Sequence, residues 1–222
     1  MAVERRTEAR TTVAPVDRAP DISRSPPPHR PLMHHQLCAL AEEYRRAGER
    51  LDAVVGSLSE KQWGARPVPS AWSVAENVGH LNLTSEAMLP GLRGAVAQAI
   101  ASGESGPGRY RCDPVGWMFA GLVGPLPRIR GRRRGRVSTA PDFVPGRGLG
   151  RAAVLSRFRE LQDEKLALLN QADGRPIQRF KVASPFVKRV RYNAYATFLI
   201  LVRHQHRHLQ QAEEAAKIVG GR

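Results

Sequence analysis

Apolar residues recur at alternating spacings of three and four along four long stretches of the chain, and that period constrains the fold more than any other feature. In the first stretch Leu37, Leu40, Tyr44, Ala47, Leu51, Val54 and Leu58 keep the rhythm, with Glu42, Glu43, Arg46 and Glu49 between them. A helix with one core-facing stripe follows. The second stretch opens on Ser73-Val74-Ala75-Glu76, a capping box in which the serine oxygen takes the N3 amide and the glutamate reaches back to the cap amide. It continues through Val78, Leu81, Met88, Leu92, Val96 and Ile100 to Ser102-Gly103, and Pro90-Gly91 predicts a kink on the way. A third helix is predicted from Arg151 to Gln171, with Leu155, Phe158, Leu161, Leu168 and Leu169 inward, ending at Asp173-Gly174. A fourth runs from Tyr192 to Val219 before Gly220-Gly221. No stretch reads as a convincing strand. The expected fold is therefore all-α, an antiparallel four-helix bundle whose long connection crosses between the second and third helices.

What lies between the periodic stretches divides the chain further. Residues 1–31 hold six prolines and six arginines and end in Ser25-Pro26-Pro27-Pro28-His29-Arg30-Pro31. Such a segment cannot bury enough apolar surface to offset its ordering entropy, so a disordered tail is expected, followed by the bundle over 32–219. Within the bundle, 103–150 is a Gly-, Pro- and Arg-rich insertion with one apolar island, Val115 to Leu122, that predicts a short helix. At 222 residues with 41% hydrophobic composition, there is material for one real core. Two cysteines, Cys38 and Cys112, supply neither a disulfide framework nor a Cys-rich zinc module, which suits a reducing cytoplasm. The uncharged run Pro114 to Pro127 is too short to span a bilayer and no apolar leader is visible, so no transmembrane segment is expected.

The net charge of +15 points towards an anionic partner until its position is considered. Residues 103–151 carry +7 and 171–191 carry +5, while the helical stretches are near neutral. No helix bears a basic stripe and no base-stacking aromatic motif is present, so nucleic acid is not the expected partner and a small-molecule substrate is. The densest cluster is Arg128, Arg130, Arg132, Arg133, Arg134 and Arg136, a candidate anion-binding set whose plainer reading is a solvated loop.

On the fourth helix Ala194, Thr197, Leu201, His204, His208, Gln211 and Ala215 share one stripe, so two histidines one turn apart face the bundle interior. Imidazoles at i and i+4 are a bidentate metal grip or, equally, partners in an internal hydrogen-bond network. His206 falls opposite and reads as solvent-facing. Position 205 is Gln, which excludes the H-E-x-x-H helix of metalloproteases. Of the other histidines, His29, His34 and His35 lie near the tail, which leaves His80 at the border of the second helix's apolar arc.

Trp72-Ser73-Val74-Ala75-Glu76-Asn77-Val78-Gly79-His80-Leu81 resembles the W-S-x-x-E-x-x-x-H-L signature of the DinB-like superfamily, and the run His204 to Gln211 resembles its H-x-x-R-H-L-x-Q. The resemblance extends loosely from Leu37 to Ala216. It implies a four-helix bundle in which His80, His204 and His208 bind a divalent ion, zinc or nickel, with Gln211 available to bond a ligand or water. It also implies chemistry, since characterised relatives include transferases and isomerases that use low-molecular-weight thiols such as bacillithiol, mycothiol or glutathione. Thiol transfer to an electrophilic small molecule is the expected activity. Three neutral imidazoles would leave the ion an open position for the thiol, and the arginine cluster would attract the anionic thiol carrier. The alternatives are a non-catalytic metal-binding stress or scaffold protein and a binder of anionic surfaces or nucleic acid through the arginines; a homodimer is the candidate assembly. Where the family often has an acid after the first C-terminal histidine, this chain has Gln205. Glu76 is accounted for by its capping box and Trp72 by anchoring the helix entry.

Deleting residues 1–31 should leave helicity, melting temperature and metal content unchanged; a large fall in melting temperature by circular dichroism would show that the tail docks.

Overall fold

A computed structural model describes residues 33–125, 128–129, 132–133 and 139–221, with the side chains of 128–129 and 132–133 excepted. The expected tail lies outside the described residues, as do the side chains of the arginine cluster. The helices in chain order are α1 (His35–Gly56), α2 (Glu60–Gly64), α3 (Val74–Ala101), α4 (Pro114–Val123), α5 (Arg151–Ala172) and α6 (Ala194–Val219). The four long ones form the predicted all-α bundle, and the apolar island becomes α4. The capping box at Ser73 and Glu76 is made in full, and α3 runs unbroken through Pro90. Among the described residues no helix is long and apolar enough to cross a membrane.

Around the bundle α1 packs on α5 and α6, and α3 packs on the same two. Side-chain pairs give the directions. Gln36 meets Tyr195 and Arg50 meets Glu213, so α1 and α6 run parallel; Glu86 meets Arg157 and Arg93 meets Glu164, so α3 and α5 do as well. The other neighbours are antiparallel, with Asp52 against Arg159 and His80 against His204. An order of up, down, down, up requires a connection that travels the length of the bundle between α3 and α5, which is what residues 102–150 supply.

Two hairpins correct the expectation that strands are absent. Arg128–Ile129 (β1) pairs with Arg132–Arg133 (β2), and Lys181–Ala183 (β3) pairs with Arg191–Asn193 (β4). Three residues are too few to show a period of two, yet Val182 and Tyr192 stand directly opposite one another and are both buried, the cross-strand contact that stabilises a short ladder. α4 is capped by Asp113, whose carboxylate takes the Gly116 amide at 2.6 Å and the Asn193 amide at 2.6 Å. Gly116 is needed for the docking of α4 on α6, because a Cβ there would collide with Ala196.

The core is two apolar clusters, one around Met88, Leu92, Leu169 and Phe198, the other around Trp63, Val78, Phe158 and Leu209. Along α3, α5 and α6 a belt of polar side chains lies between them: Asn82, Ser85, Gln162, Lys165, Gln205 and the histidines, most of them buried. Lys165 is wholly buried, donating to Ser85 Oγ at 3.2 Å and Gln162 Oε1 at 2.9 Å with its ammonium over the Tyr44 and Phe158 rings. None of its bonded partners is a carboxylate, and burial pushes it from 10.5 down to about 7.

The sign of that shift predicts a pH dependence. The unfolded lysine holds its proton up to about 10.5 and the folded one only to about 7, so stability should rise as pH increases across that window and fall as pH drops through it. Lys165→Met should remove the rise and add about 1–3 kcal/mol at neutral pH, measured by denaturant melts from pH 6 to 10. A flat wild-type profile contradicts the assignment.

Candidate metal centre

His80 stands on the second turn of α3, and His204 and His208 stand one turn apart on α6, across the antiparallel contact. Their ring centroids are 4.5–5.0 Å apart. One ligand atom from each lies within 4.8 Å of the others, and the group contains no carboxylate. His80 and His208 are buried and His204 is half-buried, so the open side of the cluster is that of His204. Trp72 covers the other side, its ring 5.0 Å from His80 and 5.9 Å from His208.

The proton positions follow from the partners. His80 Nδ1 is 2.7 Å from the Phe143 carbonyl oxygen. A carbonyl only accepts, so Nδ1 carries the hydrogen and Nε2 keeps its lone pair. His208 Nδ1 lies 3.1 Å from Asn77 Oδ1. Asn77 is oriented by its own amide nitrogen, which donates to the Ser73 carbonyl at 2.9 Å and leaves Oδ1 to accept from His208. The His208 lone pair is then also on Nε2. His80 Nε2 and His204 Nε2 are 3.3 Å apart, close to the spacing of about 3.3 Å that two nitrogens have when each is about 2.0–2.1 Å from a tetrahedral ion. The residues present therefore fit a divalent cation, with imidazole nitrogens as a borderline-soft donor set.

Burial lowers the proton affinity of His80, against the opposing pull of the Phe143 carbonyl. His204 is held well below the usual imidazole range, first by burial and then by the charges of His80, Arg207 and Lys165. Both are thus neutral at physiological pH, the state in which imidazole is a ligand.

Two residues of this arrangement escape sequence reasoning. Asn77 lies in the quoted motif but looks like filler between the capping box and His80; its helical spacing of three from His80 is the only signal. Phe143 contributes a backbone carbonyl and carries no signal at all. Its segment reaches α3 because position 79 is glycine: a Cβ there would stand 2.6 Å from Leu149 Cδ1 and 3.2 Å from Pro145 Cβ. Sequence reasoning placed His206 in solvent, and the structure corrects this. It is half-buried against α1, with Nε2 2.9 Å from Glu43 and Nδ1 2.9 Å from Arg50, because α6 has a second long neighbour on that side. Gln211 is half-buried on α6, one turn beyond His208. Glu76 is bonded by Ser73 and the Arg66 guanidinium, so it is engaged in the cap as expected. Gln205 turns away from the histidines and donates to Gln162 at 2.7 Å. Of the arginine cluster, Arg128, Arg132 and Arg133 have their backbone in the β1–β2 hairpin, while Arg130, Arg134 and Arg136 lie outside the described residues.

The model of the DinB superfamily matches residues 43–212, which takes in α3 with His80 and α6 with His204 and His208. No curated protein and no solved structure matches. With the larger part of its length covered by that match, the chain belongs to the DinB superfamily.

Proposed function

We propose that the protein is a metal-dependent transferase in which His80, His204 and His208 hold one divalent ion, zinc or nickel, and that its substrate is a low-molecular-weight thiol passed to an electrophilic small molecule. The observation that carries this reading is the convergence of three imidazoles whose other nitrogens are engaged, on His80 and His208, by Phe143 and Asn77. A bound ion supplies Lewis acidity, lowering the pKa of a thiol or water at its open position.

The remaining steps belong to this chain's own residues. The carbonyl of Phe143 and the amide of Asn77 hold two rings in orientation and keep their Nε2 lone pairs free. Trp72 excludes water from the buried side, so the reactant approaches beside the half-buried His204. The cluster contains no carboxylate and lies near buried Lys165, which a neighbouring anion would hold in its protonated form, surroundings that favour an anionic occupant such as a thiolate. Gln205 stands where the family often has an acid, and its neutral amide acts in the same direction by adding no negative charge there.

Elemental analysis of purified protein should find one ion per chain, and His80→Ala, His204→Ala or His208→Ala should each lose it while remaining helical. His206→Ala should keep the metal and cost stability only about 0.5–1.5 kcal/mol through the lost hydrogen bonds of its neutral ring with Glu43 and Arg50. Thiol conjugation to an electrophile should stop with chelator and return with zinc or nickel. Stoichiometric metal in a folded His204→Ala protein contradicts the ligand set; full metal without conjugation activity contradicts the transferase.

The surroundings make a separate prediction. Asn77→Leu removes the acceptor for His208 Nδ1, and Gly79→Val pushes the Phe143 segment off α3; each should weaken metal affinity about 10–100-fold by competition with a chromogenic chelator. Unchanged affinity in both would show that the two contacts do not orient the rings.

A further inference from the structure

α4 has no polar side chain along its ten residues, yet only one of its faces is buried. Gly116 and Ala120 pack inward, while Trp117 is 73% exposed, Met118 55%, Leu122 49% and Val115 39%. A helix that is apolar all round is ordinarily covered, and four adjoining large apolar side chains on one exposed face mark an interaction surface.

What borders the face identifies the partner. The last turn of α4 leaves carbonyls without helical partners, and arginines of α6 take two of them: Arg203 donates to the Ala120 oxygen at 3.3 Å and Arg207 to the Leu122 oxygen at 3.1 Å. The acid at the other end of the helix, Asp113, is matched by Lys181 at 2.5 Å. Cationic groups of α6 and β3 therefore stand at the two ends of α4.

We infer that this face of α4 docks on an anionic lipid surface, with Trp117, Met118 and Leu122 entering the headgroup and acyl boundary and Arg203 and Arg207 against the lipid phosphates. Two other occupants fit less well. A second copy meeting this face with its own α4 would cover the apolar side chains but bring no acidic group to the arginines, since α4 itself carries none. A nucleic acid backbone would satisfy the arginines but leave Val115, Met118 and Leu122 without an apolar partner.

The test uses the full metal-loaded chain with vesicles of phosphatidylcholine alone and of phosphatidylcholine with phosphatidylserine in equal parts. The protein should float with the anionic vesicles and not with the neutral ones. Brominated acyl chains should quench Trp117, the most exposed of the three tryptophans, since Trp63 is buried and Trp72 lies over the histidines. Trp117→Ser with Met118→Ser should reduce partitioning by roughly tenfold or more, with helicity and metal content unchanged because both side chains point outward. Absence of binding, equal binding to both vesicle types, or binding indifferent to the double substitution overturns the proposal. Self-association lost in the double variant would assign the face to a second copy, and DNA retention lost in it would assign it to nucleic acid; either also overturns it.

Discussion

A carbonyl oxygen can accept a hydrogen bond and cannot give one, and the placement of the Phe143 carbonyl against His80 Nδ1 organises everything around the histidine cluster. It fixes one tautomer, and Asn77 does the same for His208 from the other side. The Phe143 contact depends on the segment preceding α5 lying tight on α3, an approach that the bare Cα of Gly79 admits, whereas the Asn77 contact is made directly between α3 and α6. The same segment is tied down elsewhere, by Trp63 Nε1 donating to the Leu149 oxygen at 3.1 Å and by Arg151 donating to the Leu58 oxygen at 2.7 Å. The crossover that the topology requires thus also completes the site.

Much of the bundle is legible in the sequence because its long helices each bury one stripe, and a stripe shows itself as a period. The capping box at Ser73 and Glu76 is equally visible, since both halves of the exchange are side chains at a fixed spacing. Direction is not legible: spacings of three and four are the same read either way, so the parallel pairing of α1 with α6 appears only when Arg50 is seen against Glu213. The β3–β4 hairpin is too short to announce itself. His80, His204 and His208 are readable as a set through the family motifs, whereas their surroundings are contributed by an inconspicuous asparagine and a main-chain oxygen. His206 illustrates a general error. Pointing away from one helix does not mean pointing at water when a helix has two long neighbours.

The polar belt that separates the two apolar clusters carries an energetic burden. Buried amides and a buried lysine displace side chains that would otherwise pack, and two of its oxygens, on Asn82 and Gln205, have no hydrogen-bond partner among the described residues. The belt is positive in character, with Lys165 and no bonded carboxylate, at the level where the histidines converge. A core arranged for stability alone would place Met or Leu at such positions. Its retention is intelligible if a negative charge is to be held beside it.

The histidine cluster joins positions separated by 124 residues along the chain. During synthesis His80 emerges with α3, but its two companions arrive only with α6, after the crossover and α5 have been made. Half-sites on a nascent chain would therefore hold an ion weakly, and the grip closes in one late event of high contact order. If these three histidines hold the proposed ion, its loading reports that α3 and α6 have come together, and an early, incomplete chain is poorly able to sequester it.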